Sequence, residues 1–255
     1  MKVSNKIKKQ ELHREVYMGN ENKIQKYLSK GWKKFLVFSF GFVMIIAFRI
    51  LVGEICTVPS NSMEPTIMTG DWLWINKAAY GARLPARFAD IPLINVFTWN
   101  KSWREADSIR DWGYHRFLKL KAPKVNDVIV FNSITHPDEL LVKRVSEVLA
   151  KNRAVEVSVE NIEFVKKMAE MDGVYVEIAD DSLYIQGIYS RFYMPKQNFY
   201  YVLGDNATNS MDSRFYGYIP ESAVLGKMGR VLISVDNLRK GWGKIRWSRI
   251  LKAVK

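Results

Sequence analysis

Cysteine and histidine are scarce in this chain of 255 residues, and each shortage restricts its chemistry. Cys56 is the only cysteine, so no disulfide can form within the chain. The three histidines, His13, His115 and His136, lack the Cys/His spacing of a zinc site, and none lies in a motif typical of a catalytic base. We therefore expect no metal, no other cofactor and no histidine-dependent catalysis.

Acidic residues are also too few to balance the basic ones, with 26 Asp and Glu against 39 Lys and Arg and a net charge of +13. The excess is concentrated in residues 1–34 and 239–255. Basic chain ends suit either nucleic acid or an anionic membrane surface. Because no Gly-rich phosphate loop or aromatic RNA-binding signature accompanies them, we expect the lipid bilayer as a partner and no nucleic acid.

One long apolar run, from Phe35 to Val52, predicts a transmembrane helix with Arg49 as its single charge. The Lys-rich flank before it predicts a cytoplasmic N-terminus. We therefore expect a cytoplasmic basic segment at 1–34 and a single-pass anchor of the plasma membrane at 35–57, with the rest of the chain extracytoplasmic. A cleaved secretory signal is the alternative, although Gly53-Glu54-Ile55 provides no small-x-small cleavage site.

The chain beyond the anchor has the pattern of a mainly β protein. Runs rich in β-branched and aromatic residues, bounded by turn residues, predict strands at 71–76, 127–132, 139–148, 199–204 and 228–235. The spacing of Ile162, Val165 and Met168 predicts a helix within 159–172. We expect one β-rich domain over 58–235, with inserted or variable regions at 83–124 and at about 149–198.

The final residues, 236–255, alternate basic and apolar side chains. This basic amphipathic tail is either solvated or an interfacial helix lying on anionic lipid. Trp72 and Trp74 would add to such a membrane-facing surface, and core packing explains them nearly as well.

A serine-rich stretch, VPSNSMEPT at 58–66, directly follows the predicted anchor. Pro59 and Pro65 prevent a regular helix or a central strand there, so Ser60 and Ser62 lie in a turn. A serine hydroxyl is a poor nucleophile until a base takes its proton. Since the chain has no Gly-x-Ser-x-Gly elbow and no Ser-x-x-Lys motif, a dyad of serine and a distant lysine remains.

Lys143 offers the setting that a basic lysine needs. In a strand it shares one face with Leu141 and Val145, while Arg144 points to the other face. Burial among such aliphatic side chains can lower a lysine pKa by roughly 2–3 units. The alternative is a solvent-exposed lysine on an edge strand.

Five blocks in order resemble the bacterial type I signal peptidases (leader peptidases), a family of membrane-anchored serine proteases. The blocks are the anchor, SNSMEPT (60–66), GDWLWINK (70–77), the strand with Lys143-Arg144, and LGDNATNSMDSRFYGYIP (203–220). The resemblance implies a β-rich signal-peptidase-like catalytic domain with an inserted subdomain, preceded by one N-terminal transmembrane helix.

The resemblance also implies roles around the reacting atoms. Ser62 matches the nucleophile and Lys143 the general base. Ser60 matches the hydroxyl that forms the oxyanion hole together with the backbone N–H of Ser62. Ser210 matches a hydroxyl that orients the lysine, and Met63 would shield the site from water.

Two ion pairs are implied as support for this site. Asp212 matches a partner for Arg214 that holds the 203–220 block in place, and Asp205 matches a partner for Arg144. The chain departs from the family pattern after the Lys143 strand and at Ala207-Thr208, where Arg-Asp is common. These departures affect the expected loop geometry and no proposed catalytic group.

The implied activity is removal of signal peptides from exported precursors, after small residues of the Ala-x-Ala type. One alternative is a processing protease dedicated to a single secretion or conjugation system. Another is an inactive, membrane-tethered scaffold with the same fold. Self-cleaving repressors of the SOS type also use Ser–Lys pairs, but the anchor and the lack of a DNA-binding domain disfavour that interpretation.

Overall fold

A computed structural model describes residues 31–92, 105–107, 112–119, 121–136, 139–236, 238–239 and 241–254. Helix α1, Gly31–Leu51, is the one helix in these ranges that is long and apolar enough to cross a membrane, by length and composition. The predicted basic segment lies outside the described residues except for 31–34. The chain divides into two compact units between Ala47 and Phe48.

Fourteen strands are present in the described part of the second unit. They are β1 (Gly53–Thr57), β2 (Asp71–Asn76), β3 (Ala82–Arg83), β4 (Arg116–Phe117), β5 (Val128–Asn132), β6 (Leu140–Leu149), β7 (Val155–Glu156), β8 (Val176–Ala179), β9 (Ser182–Ile185), β10 (Ile188–Tyr189), β11 (Phe192–Tyr193), β12 (Phe199–Leu203), β13 (Ile219–Pro220) and β14 (Val224–Ser234). Helices α2 (Ile162–Met171) and α3 (Ser213–Tyr216) lie in the same unit, residues 105–107 are also helical, and short 3₁₀ helices lie at Ala78–Tyr80, Phe88–Asp90, Ala207–Asn209, Glu221–Ala223, Gly241–Lys244 and Trp247–Arg249.

The main sheet has seven antiparallel strands in the order β1-β2-β14-β5-β6-β12-β13. The pairing register shifts within β12 and at several points of β14. Such bulges bend a strand and increase its twist, so the sheet curls. The mainly β fold predicted from the sequence is confirmed.

Strand β5 is buried on both faces of this sheet. Val128 and Val130 pack in one apolar cluster with Leu73. Phe131, which points the other way, packs in a second cluster with Tyr200. Because side chains alternate along a strand, the continuous apolar run of β5 supplies both clusters at once.

The region predicted as variable at about 149–198 has secondary structure of its own. It consists of a three-stranded sheet, β10-β9-β8, a β11-β7 pair and helix α2. The predicted helix is confirmed, since Ile162, Val165 and Met168 are buried on one side of α2 against Leu183 and Phe199. In the other predicted insert, β3 pairs with β4, while residues 93–104, 108–111 and 120 lie outside the described ranges.

Two segments differ from their sequence-based descriptions. The last part of the predicted anchor is strand β1, which pairs with β2 from Gly53 to Thr57. The described residues of the C-terminal segment, 241–254, do not form the single helix that one of the two predictions required. They form two 3₁₀ helices, and bridges Arg230↔Ala253 and Val235↔Ile245 attach them to β14 and to the residue that follows it. Backbone pairing therefore outweighs amphipathic helix formation at this end.

Phe131→Ala should destabilise the second unit by about 3–5 kcal/mol, because the substitution removes a ring that is fully buried and leaves a cavity. Denaturant unfolding in detergent would measure the loss. Phe192→Ala on β11 is the matched control, since that ring is about half exposed. Equal losses in the two variants would contradict the central place of β5 in the core.

Candidate active site

Ser62 lies in a compact loop, residues 58–70, between β1 and β2. The base of the loop is closed by backbone hydrogen bonds from Val58 N–H to Asp71 O (3.3 Å) and from Gly70 N–H to Val58 O (3.4 Å). Met63 is fully buried in the first apolar cluster and anchors the loop beside Ser62. The proline-rich turn expected from the sequence is therefore fixed by core packing.

The loop brings Ser62 to Lys143 on β6. Nζ of Lys143 lies 2.7 Å from Oγ of Ser62, and both side chains are buried, with residue exposures of 3% and 8%. Lys143 stands opposite Ile129 of β5 in the sheet register. It also lies between two strands, so the alternative of an exposed lysine on an edge strand is wrong.

Burial lowers the pKa of Lys143 below its ordinary value of 10.5. The charges of Asp212, Asp205 and Glu139 act in the opposite direction and are weaker than the cost of removing the ammonium from water. The neutral amine is therefore favoured relative to an exposed lysine, and a neutral amine can accept a proton.

Ser60 is the other hydroxyl close to Ser62. The two Oγ atoms are 3.4 Å apart, and Ser60 is exposed while Ser62 is buried. Ser60 therefore lies on the solvent side of Ser62.

Arg144, the residue after Lys143 on β6, forms a two-pronged ion pair with Asp205. Arg144 Nε and Nη2 donate to the two carboxylate oxygens of Asp205 at 2.8 and 2.6 Å, and Nη1 donates to the carbonyl of Asn126. The pair joins β6 to the segment that follows β12, as the resemblance implies. A fork of this kind fixes orientation as well as distance.

Asp212 is fully buried at the start of α3 and accepts several hydrogen bonds. Arg214 donates Nε at 2.8 Å and Nη2 at 2.9 Å, and the N–H of Gly204 donates at 2.9 Å. Burial alone would raise the pKa of Asp212, but hydrogen bonds, the one from Arg214 foremost, lower it to about 2. The carboxylate therefore stays ionised and holds the loop around Ser210.

Ser210 lies beside this carboxylate rather than in hydrogen-bonding contact with the lysine. Its Oγ is buried and completes no hydrogen bond of good geometry among the described residues, although its proximity helps to lower the pKa of Asp212. The lysine contact implied by the resemblance is not formed in this arrangement.

Gly204 is a site residue that the sequence-based reasoning did not single out. A Cβ at this position would lie 2.1 Å from Ser210 Oγ and 2.7 Å from the carbonyl oxygen of Ser62. Only a residue without a side chain allows these two segments to approach so closely. The Gly-Asp-Asn sequence is visible in the chain, but the close approach depends on two elements that are distant in sequence.

Two asparagines, also missed, attach the 203–220 block to the backbone next to Ser62. Asn206 donates its N–H to the carbonyl of Ser62 at 3.0 Å and its side-chain amide to the carbonyl of Asn61 at 3.2 Å. Asn209 donates to the side chain of Asn61 at 2.9 Å. Neutral side chains carry no charge signal, so composition did not reveal them.

The described residues contain no group of three or more His, Cys, Asp or Glu side chains arranged to hold a metal ion. The site combines the hydroxyl of Ser62, the buried amine of Lys143 and two arginine–carboxylate pairs. Such a set can activate a serine for attack on a carbonyl.

Known proteins resemble this chain at the level of family and sequence. The sequence model of the family described as "Signal peptidase, peptidase S26" matches residues 29–233. The Signal peptidase I of Buchnera aphidicola subsp. Schizaphis graminum is 26% identical over 233 residues, which cover 79% of this chain and 74% of that protein. The Signal peptidase I of Aquifex aeolicus is 25% identical over 222 residues, covering 76% and 82%. A crystal structure of a signal peptidase I from Enterococcus faecalis is 23% identical, has a TM-score of 0.23 and covers 42% of this chain and 97% of its own.

The chain therefore belongs to the signal peptidase family of S26 peptidases. The protein is a serine peptidase, and the names of its curated relatives indicate that it removes signal peptides.

Gly204→Ala should lower turnover by about a hundredfold or more, because the new methyl group would displace Ser210 and the Ser62 backbone by an ångström or so. Cleavage of a precursor by the purified protein would measure the loss. Gly243→Ala is the matched control, since nothing lies within 4 Å of its added Cβ. Full activity of the Gly204 variant would show that the close approach is not needed.

Proposed function

We propose that Ser62 and Lys143 form the catalytic dyad of a membrane-anchored signal peptidase. The observation that carries this proposal is the 2.7 Å contact between a buried hydroxyl and a buried amine whose pKa is lowered. Neutral Lys143 takes the proton of Ser62 while Oγ attacks the scissile carbonyl carbon. The resulting ammonium then gives this proton to the departing amine as the peptide C–N bond breaks.

Water completes the cycle. Lys143, neutral again, takes a proton from a water molecule that attacks the acyl-serine ester, and the ester bond breaks to release the signal peptide, whose new carboxyl group loses its proton to solvent. Ser62 recovers its proton from the lysine. No group other than the dyad has to change its protonation state.

Ser60 and the backbone N–H of Ser62 are the proposed oxyanion hole. The 3.4 Å distance between Ser60 Oγ and Ser62 Oγ supports this assignment, because a donor of the oxyanion hole has to lie close to the nucleophilic oxygen. Each donor of this type is worth about 3–4 kcal/mol of the barrier. Ser210, Asp212, Arg214, Asp205, Arg144 and Met63 are proposed to support the dyad by holding its surroundings.

The clients are proposed to be exported precursors cleaved after small residues of the Ala-x-Ala type. We propose that α1 anchors the protein in the plasma membrane with its basic flank in the cytoplasm, so the domain lies on the extracytoplasmic side. There it meets signal peptides as they emerge from the bilayer.

Ser62→Ala and Lys143→Met should each abolish cleavage of an Ala-x-Ala precursor in detergent. Methionine fills a similar volume without a buried amine, so the melting temperature of Lys143→Met should be unchanged or higher. Lys151→Met at an exposed position is the matched control. Residual cleavage by either dyad variant would refute the assignment. Activity on only one precursor by the wild type would instead point to a dedicated processing enzyme.

Turnover should fall as the pH drops through the pKa of Lys143, because only the neutral amine accepts a proton. Asp212, with a pKa of about 2, stays ionised throughout this range and does not produce the loss. Glu139 raises the pKa of Lys143, so Glu139→Gln should shift the acidic limb of kcat to lower pH. Glu163→Gln, on α2, should leave the limb in place.

A pH–rate profile of the three proteins would test this. A limb that moves to higher pH in Glu139→Gln, or no acidic limb at all, would contradict Lys143 as the base.

A further inference from the structure

The C-terminal segment, residues 241–254, is part of the folded domain although the family match ends at residue 233. Its backbone pairs with β14, with hydrogen bonds from Val231 N–H to Lys252 O at 2.9 Å and from Leu251 N–H to Val231 O at 2.7 Å. Val254 is buried in the same apolar cluster as Met63. The segment therefore reaches the core beneath the 58–70 loop.

Arg249 of this segment lies buried against the same loop. Its Nη2 donates to the carbonyl of Thr66 at 2.9 Å, and Nε and Nη2 donate to the carboxylate of Asp71 at 3.2 and 2.5 Å. Asp71 also accepts the N–H of Met68 at 2.9 Å. One guanidinium thus holds Thr66 in the second half of the loop and Asp71 at the start of β2.

A second arginine of the C-terminal segment, Arg246, binds the 58–70 loop at Thr69. Arg246 Nη1 donates to the carbonyl of Thr69 at 3.0 Å and lies 3.3 Å from Ser234 Oγ. The carbonyls of Thr66 and Thr69 are therefore both held by arginines of the C-terminal segment. Arginine suits this task because its planar fork binds several acceptors in a fixed geometry.

The Arg249–Asp71 pair is costly as a stabilising device. Asp71 is fully buried, which by itself would raise the pKa of its carboxyl, and hydrogen bonds from Arg249 and Ser234 lower that pKa instead. The free-energy cost of removing the two charges from water offsets most of the Coulombic attraction between them. Such pairs therefore contribute more to geometry than to the free energy of unfolding.

Thr66 is connected to Ser62 through a short stretch of hydrogen-bonded backbone. The N–H of Ile67, next to Thr66, donates to the carbonyl of Met63 at 2.9 Å, and Met63 is the residue after Ser62. A displacement of Thr66 is therefore transmitted through one turn of backbone to the hydroxyl that faces Lys143.

We propose that Arg249 is a positioning residue for the peptidase reaction, acting through Thr66 and Asp71 to hold the Ser62 loop against Lys143. This inference rests on the proposed Ser62–Lys143 dyad. It assigns to the C-terminal segment a part in catalysis that lies outside the matched family region.

The test compares Arg249→Gln and Arg249→Lys with Arg230→Gln as the matched control. Arg230 donates to the carbonyl of Leu251 at 3.0 Å, so its loss weakens the docking of the segment without removing a contact to the loop. Lysine at position 249 keeps the charge beside Asp71 and loses the fork. It serves as the deciding variant if glutamine prevents folding.

Kinetics are measured well below the melting temperature of each variant. We expect kcat to fall at least about tenfold in both Arg249 variants while KM stays within about twofold, because misplacing a reacting group by about 1 Å costs up to a hundredfold. Hydrogen exchange at the amides of Ile67 and Gly70 should accelerate in these variants and not in Arg230→Gln. A kcat within twofold of the control, or exchange no faster than in it, would overturn the proposal.

Ser62→Ala is included in the same assay to separate the two hypotheses. Cleavage by that variant would reject the dyad, and the exchange rates of the loop would still show whether Arg249 holds it. Loss of activity in Ser62→Ala together with normal kcat in both Arg249 variants would reject the positioning role alone.

Discussion

The amine of Lys143, held out of water, is the constraint on which the rest of this structure depends. An ammonium in such a place would be costly unless carboxylates paired with it. The two carboxylates that act on its pKa most strongly, Asp212 and Asp205, are instead bound by Arg214 and Arg144. These ion pairs keep both acids ionised and occupied, so neither competes with the Ser62 hydroxyl for the lysine.

Three separate parts of the chain meet at this amine, and the curled sheet determines how. Strand β6 carries Lys143 between β5 and β12, the loop between β1 and β2 carries Ser62, and the segment after β12 binds the Ser62 backbone through Asn206. The approach of the last two is so close that Gly204 leaves no room for a methyl group. Because β5 is buried on both faces, the packing below the site is rigid, and the backbone cannot easily shift to make room for a methyl group at position 204.

The strands and the helix α2 could be predicted from the sequence more accurately than the contacts between residues that are distant in sequence. Runs of β-branched and aromatic residues located the main strands, and helical spacing located α2, because these patterns are local. Strand β1, Gly53–Thr57, falls within the predicted anchor, which extends past the apolar run that ends at Val52. Arg249 stands in a basic stretch, where composition does not separate a buried arginine from an exposed one. The Arg144–Asp205 pair came from family resemblance, since no local rule joins residues so far apart in sequence.

The contact of Arg249 with the 58–70 loop has a consequence for the order of synthesis. Arg249 and Thr66, which its guanidinium binds, are 183 positions apart in the chain. Because the ribosome makes a chain from its N-terminus, the loop that carries Ser62 leaves the ribosome long before the arginine that holds it. The growing chain therefore carries Ser62 on a loop that lacks this support until residues 241–254 have been made and have folded against it.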